Sequence, residues 1–173
     1  FKATGKWSFS GGESSSSLNY ALDIGNGGNL LERLGFPHVM RNGKGKMSGV
    51  VNWKGLPFSF DIPSLSGQIR LEVNSGQIMK VDLGGAKLLG VLSLQGLPRL
   101  SEVVADGLSF ESIAATASIA QGVAKTDNFK MRSVNMTVLL DGAIDIARES
   151  QNMHAVVIPD YNLGTASAVY ALA

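Results

Sequence analysis

Two histidines, His38 and His154, are the only imidazoles in the chain, and no cysteine accompanies them. Neither has a second donor at HxH or HxxxH spacing, so no metal centre is expected from them. The lack of Cys removes disulfides, thiolate zinc sites and thiol nucleophiles together, without fixing a compartment. Serines are abundant, yet none lies in a GxSxG elbow. Gly43-Lys44-Gly45-Lys46-Met47-Ser48 has the look of a phosphate-loop tail but lacks the leading glycine and the following helix, so it reads as a basic hairpin turn. Gly25-Asn26-Gly27-Gly28 lacks the third glycine and the βαβ context of a dinucleotide site and reads as the approach to a helix. The carboxylates Asp61, Asp82, Asp106, Asp127, Asp141, Asp145 and Asp160 fall mostly at strand ends or turns, and their spacing selects no catalytic pair. Asn135-Met136-Thr137 matches a glycosylation sequon in mid-strand. These residues predict no enzyme, no cofactor and no metal.

The bulk composition narrows the function classes further. At 173 residues the chain is expected to form one domain over 1–173. A net charge of +1 and only 17% charged residues give no general attraction to nucleic acid. The apolar share is 45% with 7% aromatic, so the hydrophobicity is mostly aliphatic. The most apolar stretch, Leu83 to Leu97, is broken by Lys87 and Gln95 and is shorter than a spanning helix needs. The opening Phe1-Lys2-Ala3-Thr4-Gly5 has neither an initiator Met nor a signal pattern, and we expect a piece of a longer chain.

The elements that must carry any function are strands. Period-2 alternation runs through Leu18, Tyr20, Leu22 and Ile24, through Phe58, Phe60 and Ile62, and through Ile69, Leu71 and Val73, with Arg70 and Glu72 on the other face. It returns at Ile113 to Ile119, Val134 to Leu140 and Met153 to Ile158. Turn signals stand at Gly11-Gly12, Asn42-Gly43, Asn74-Ser75-Gly76, Gln121-Gly122 and Asp141-Gly142. The pattern predicts a mainly β protein, a curled antiparallel sheet of about ten strands forming a groove or half-barrel. Two or three short helices are expected on it: Asn29 to Leu34 with Asn29 as cap and Gly35 as stop, and Ala86 to Leu94, which Pro98 either closes or follows with another short helix through Val104.

The order of short segments is informative: Thr4-Gly5-Lys6-Trp7, Asn29 to Pro37 (NLLERLGFP), Gly45-Lys46-Met47 through Trp53-Lys54-Gly55, and Leu65-Ser66-Gly67. Ala86 to Gln95 (AKLLGVLSLQ), Gly122 to Asn128 (GVAKTDN) and Asp141 to Ala147 (DGAIDIA) follow, covering nearly the whole chain. Taken in order, these segments resemble the C-terminal region of the YhdP branch of the AsmA-like envelope proteins of Gram-negative bacteria. After Leu97-Pro98 the chain departs from the family's paired arginines, with Arg99-Leu100-Ser101-Glu102-Val103-Val104 in a shorter segment. The resemblance implies a periplasmic protein anchored in the inner membrane, with a role in outer-membrane lipid homeostasis and phospholipid movement along a β groove.

The residues are compatible with that role. Some thirty methylenes of a diacyl lipid at about 0.8 kcal/mol each make passage through water cost on the order of 25 kcal/mol. A carrier must therefore offer a dry surface throughout, and a continuous aliphatic sheet face provides one. The groove candidates are Phe58, Phe60, Ile69, Leu71, Val73, Ile113, Ile119, Val134, Met136 and Val138, with phospholipid acyl chains as the partner. Leu88, Leu89, Val91 and Leu92 form a helix plug or a docking face. The same alternation also suits an ordinary sandwich or helix-capped sheet. The alternative function is an envelope scaffold binding protein partners through its helices or a sheet edge.

Overall fold

The computed structural model describes residues 1–79 and 107–160. Within them, eight strands form one open antiparallel sheet, slightly curved, in which spatial order equals chain order. The strands are β1 (Lys2–Ser10), β2 (Glu13–Ile24), β3 (Met40–Lys54), β4 (Ser66–Ile78), β5 (Leu108–Ala120), β6 (Val123–Arg132), β7 (Met136–Asp145) and β8 (Ser150–Pro159). One helix, α1 (Gly27–Arg33), bridges β2 and β3, and a 3-10 turn at Ile62–Ser64 precedes β4. The helices expected at Ala86 to Leu94 and from Pro98 to Val104 lie outside the described residues.

About ten strands were expected in the whole chain and eight lie among the described residues, where two of the expected turn signals are absorbed inside long strands. Asn42-Gly43 lies within the 15 residues of β3 and Asn74-Ser75-Gly76 within the 13 of β4. The left-handed backbone these residues favour is present, at φ 60° for Asn42, 83° for Gly43 and 54° for Ser75. Pairing skips Gly43 opposite Ser75, and Ser75 opposite Glu111, then resumes in the same register. The three irregularities line up as a crease across β3, β4 and β5. Beyond it the buried phase shifts by one residue, from Ile113 to Phe110 and Leu108 on β5. Gly43-Lys44-Gly45-Lys46 is therefore strand, and not the hairpin turn its composition suggests.

Two further expectations are corrected. Alternation at Phe58, Phe60 and Ile62 does not make a strand: Pro57 and Pro63 bracket it, each without a ladder donor. The segment turns sharply, with Ser59 N donating to the Leu56 carbonyl at 3.1 Å. Val134 falls in the β6–β7 turn, and β7 begins at Met136.

In α1 the cap is Asn26 rather than Asn29: its Oδ1 accepts from Asn29 N at 3.1 Å. Gly35, at φ 90°, ends the helix as expected. Phe36 N reaches the Leu31 carbonyl and Gly35 N the Glu32 carbonyl, which completes a Schellman stop. Gly27 and Gly28 let this helix lie directly on β3, where an added Cβ at Gly28 would strike the Met40 carbonyl.

Candidate functional site

Strand register turns scattered aliphatic residues into continuous rows. Ile24, Gly45, Val73, Ile113, Met131, Val138 and Val157 pair in succession from β2 to β8. A second row, Gly5, Leu18, Val51, Gly67, Ile119, Ala124, Ile144 and Gln151, crosses all eight strands. Paired residues project to the same face, so both rows and the residues between them make one surface that is largely apolar and meets a polar side chain at Gln151 on β8. The opposite face is polar. There Lys46 lies between Asp23 and Glu72, and Glu72 accepts from Arg70 at 2.7 Å.

A register shift keeps the apolar surface continuous at β6. Ile113 to Ile119 and Val138 to Ile144 each span six steps, whereas Ala124 to Met131 spans seven. Strict period 2 would put Ala124 and Met131 on opposite faces. A bulge around Asp127 and Asn128 absorbs the extra residue. Asn128 fills the broken ladder: its Oδ1 accepts from Thr116 N at 2.9 Å and its Nδ2 donates to Thr116 Oγ1 at 2.6 Å.

Part of the apolar face is buried and part is exposed. Val73, Ile113, Met131, Met136, Val138 and Leu140 are buried, with Leu22, Leu71, Met47 and Phe129 packed partly buried beside them. Met131, the most buried of these, is 3% exposed. Toward β1 the face opens, and every β1 residue is exposed. Tyr20 lies here between Ala3 and Gly49, and burial pushes its phenol pKa up from the ordinary value. Such a surface can shield alkyl chains through dispersion and water exclusion, and it presents no charge to orient a polar substrate.

The structure brings together Ile69, Leu71, Val73, Ile113, Ile119, Met136 and Val138 on this face. Phe58 and Val134 lie in loops with exposed side chains, Phe60 lies in the loop after β3 and reaches only the corner of the face by stacking on Trp53, and Leu88, Leu89, Val91 and Leu92 lie outside the described residues. Sequence reading did not select Trp7, Phe9, Trp53 and Met131. The alternation of Phe1, Ala3, Trp7 and Phe9 with Lys2, Thr4, Lys6 and Ser8 is the signal that places β1 on the same sheet.

Polar groups assemble less. His154 Nδ1 lies 3.1 Å from Asp141 Oδ1, with both side chains exposed. An open hollow of about 670 Å³ lies beside the β6 bulge, bordered by Gln68, Thr116, Ser118, Lys125, Asp127 and Asn152. Among the described residues no cluster of His, Asp or Glu is arranged to hold a metal ion.

Comparison with known proteins gives one family model, described as YhdP protein, which matches residues 1–173. The intermembrane phospholipid transporter YhdP of Escherichia coli (strain K12) is 28% identical over 174 residues. That alignment takes in 96% of this chain and 14% of the transporter's own length. No solved structure matches the chain.

Proposed function

Since the chain belongs to the YhdP family, we propose that it is a non-enzymatic periplasmic module of a longer protein anchored in the inner membrane of a Gram-negative bacterium. In this reading its apolar face lines a path for phospholipid acyl chains between the inner and outer membranes, and so supports outer-membrane integrity. The observation that carries the reading is the pair of largely apolar rows that strand register lays across a single open sheet. A relative named as a phospholipid transporter supports the choice of cargo. Aliphatic side chains suit acyl chains of any length, because dispersion contacts carry no register.

Leu71→Lys tests it. Leu71 sits in mid-β4 between Met47 and Ala115, on the apolar face. On an open face the ammonium snorkels toward water while its stem still covers the sheet, so stability falls modestly and a charge stands in the acyl path. In a sealed core the same ammonium costs several kcal/mol and the domain fails to fold. The expected result is a cooperative melt a few degrees below the parent, since about 2–4 °C accompanies each kcal/mol at this size. Lipid adducts in native mass spectra should be lost, and the full-length protein carrying the change should fail to rescue an envelope defect. Arg70→Ala, on the polar face, is the control and stays near neutral, as its ion pair with Glu72 is exposed. A Leu71→Lys protein that folds, carries lipid and rescues normally overturns the proposal. A parent chain free of lipid but bound stably to an envelope protein would favour the scaffold.

A further inference from the structure

The apolar face ends at one corner in a cluster of a different kind. Both of the chain's tryptophans and three of its seven phenylalanines lie at the end of the sheet where β1, β2 and β3 reach the Gly11-Gly12 turn and the loop after β3. Trp7, Ser16 and Trp53 are register partners, and Phe9 pairs with Ser14. Trp53 and Phe60 stack with ring centroids 4.5 Å apart. Around them Phe58 is 85% exposed, Phe9 70%, Phe60 59% and Trp7 54%.

The loop that carries Phe58 is held outward. Trp53 Nε1 donates to the Leu56 carbonyl at 2.9 Å, and Ser16 Oγ donates to the Gly55 carbonyl at 2.9 Å. Gly55 N donates to the Ser14 carbonyl at 2.8 Å, and Ser59 N closes the turn on Leu56. At its far side Ser64 Oγ accepts from Lys54 N at 2.8 Å. Two buried side chains, Ser16 and Trp53, thus pin a short turn whose tip is a solvent-facing phenylalanine.

The geometry points to this aromatic corner as a docking tip for the interfacial zone of a phospholipid bilayer. Trp and Phe on an exposed rim partition into that zone, where rings meet both headgroups and acyl chains. A projecting tip suits a soft medium, whereas protein hot spots fill pockets. The surrounding charges balance, Lys6 and Lys54 against Glu13 and Asp61, which matches a zwitterionic surface. The corner also runs into the apolar face through the Trp7–Ser16–Trp53 row, so a docked bilayer would adjoin that face directly. The inference goes beyond the proposed lipid path, and the two fail separately.

The tryptophans report on the corner themselves. Phosphatidylcholine vesicles added to the 173-residue chain should shift Trp emission to the blue and carry the protein down on sedimentation, with little effect of salt. Phe58→Ser should weaken vesicle binding about tenfold or more while leaving the melt unchanged, because the side chain contributes little to folding where it stands. Phe9→Ser should act in the same direction. Val134→Ser removes an apolar side chain about as exposed as Phe9, in a turn elsewhere, and should bind as the parent does. Leu71→Lys should still dock while losing lipid adducts. Parent-like binding by Phe58→Ser overturns the inference, as does a chain that ignores vesicles and forms Phe58-dependent dimers.

Discussion

β6 carries one residue more between its apolar positions than β5 or β7, and Asn128 makes that residue tolerable. Its amide serves Thr116 with both an acceptor and a donor, replacing a ladder bond the bulge would otherwise break. Asn128→Ala should therefore cost about 1 kcal/mol, the net worth of a solvent-accessible hydrogen bond. Asn128→Asp keeps the acceptor for Thr116 N and should cost less. Urea denaturation of the two variants measures the difference; an Ala variant as stable as the parent would show that the ladder alone holds the bulge. The clue in the sequence was the odd spacing between Ala124 and Met131, which no straight strand accommodates on one face.

At the scale of the element, glycine decides how closely β3 can approach β4. Gly45 sits on the apolar face where an added Cβ would land on the Glu72 carbonyl and lie 2.7 Å from Val73 Cα. Both obstacles are backbone, so the strands would have to separate. Gly45→Ala should cost about 3 kcal/mol, near the upper end of overpacking penalties. Gly5→Ala on edge strand β1 meets nothing closer than the Ser17 carbonyl at 3.8 Å and should be nearly neutral. Thermal melts of the two single variants compare them, and equal losses would place β3 and β4 further apart than the structure has them. The crease belongs to this scale as well. Asn42-Gly43 and Asn74-Ser75-Gly76 are turn-forming by composition, but their neighbours on both sides stay paired, so the positive φ bends a strand instead of ending it.

An antiparallel sheet whose first and last strands each pair on one side only, among the described residues, has a gradient of protection built into it. β3, β4 and β5 each have a partner on both sides, while β1 and β8 have one. Hydrogen exchange should therefore be slowest in β4, faster toward β8, and fastest in β1, whose residues are all exposed. If β1 were as protected as β4, the edge would have to be covered by another chain or the sheet closed on itself. Seven intervals at about 4.8 Å give the sheet a breadth of about 35 Å, which suits one stretch of a longer path more than a complete one.

Alternation by itself determined the mainly β class, the shared face of Ile69, Leu71 and Val73, and the polar face of Arg70 and Glu72, because side-chain direction in a strand follows residue parity. Composition likewise pointed to α1 and its Gly35 stop, since caps are local chemistry. Tertiary structure decided what local rules leave open. Whether Asn-Gly ends a strand or creases it depends on neighbours supplied by β4 and β5. Whether Phe58 and Phe60 line the face depends on the hydrogen bonds by which Ser14 and Ser16 of β2 hold Gly55 and turn the loop outward. The joining of Ala124 to Met131 on one surface required a bulge whose hydrogen bonds come from Thr116 on the adjacent strand. Each of these outcomes rests on hydrogen bonds between residues distant in sequence, and period-2 patterning carries no information about them.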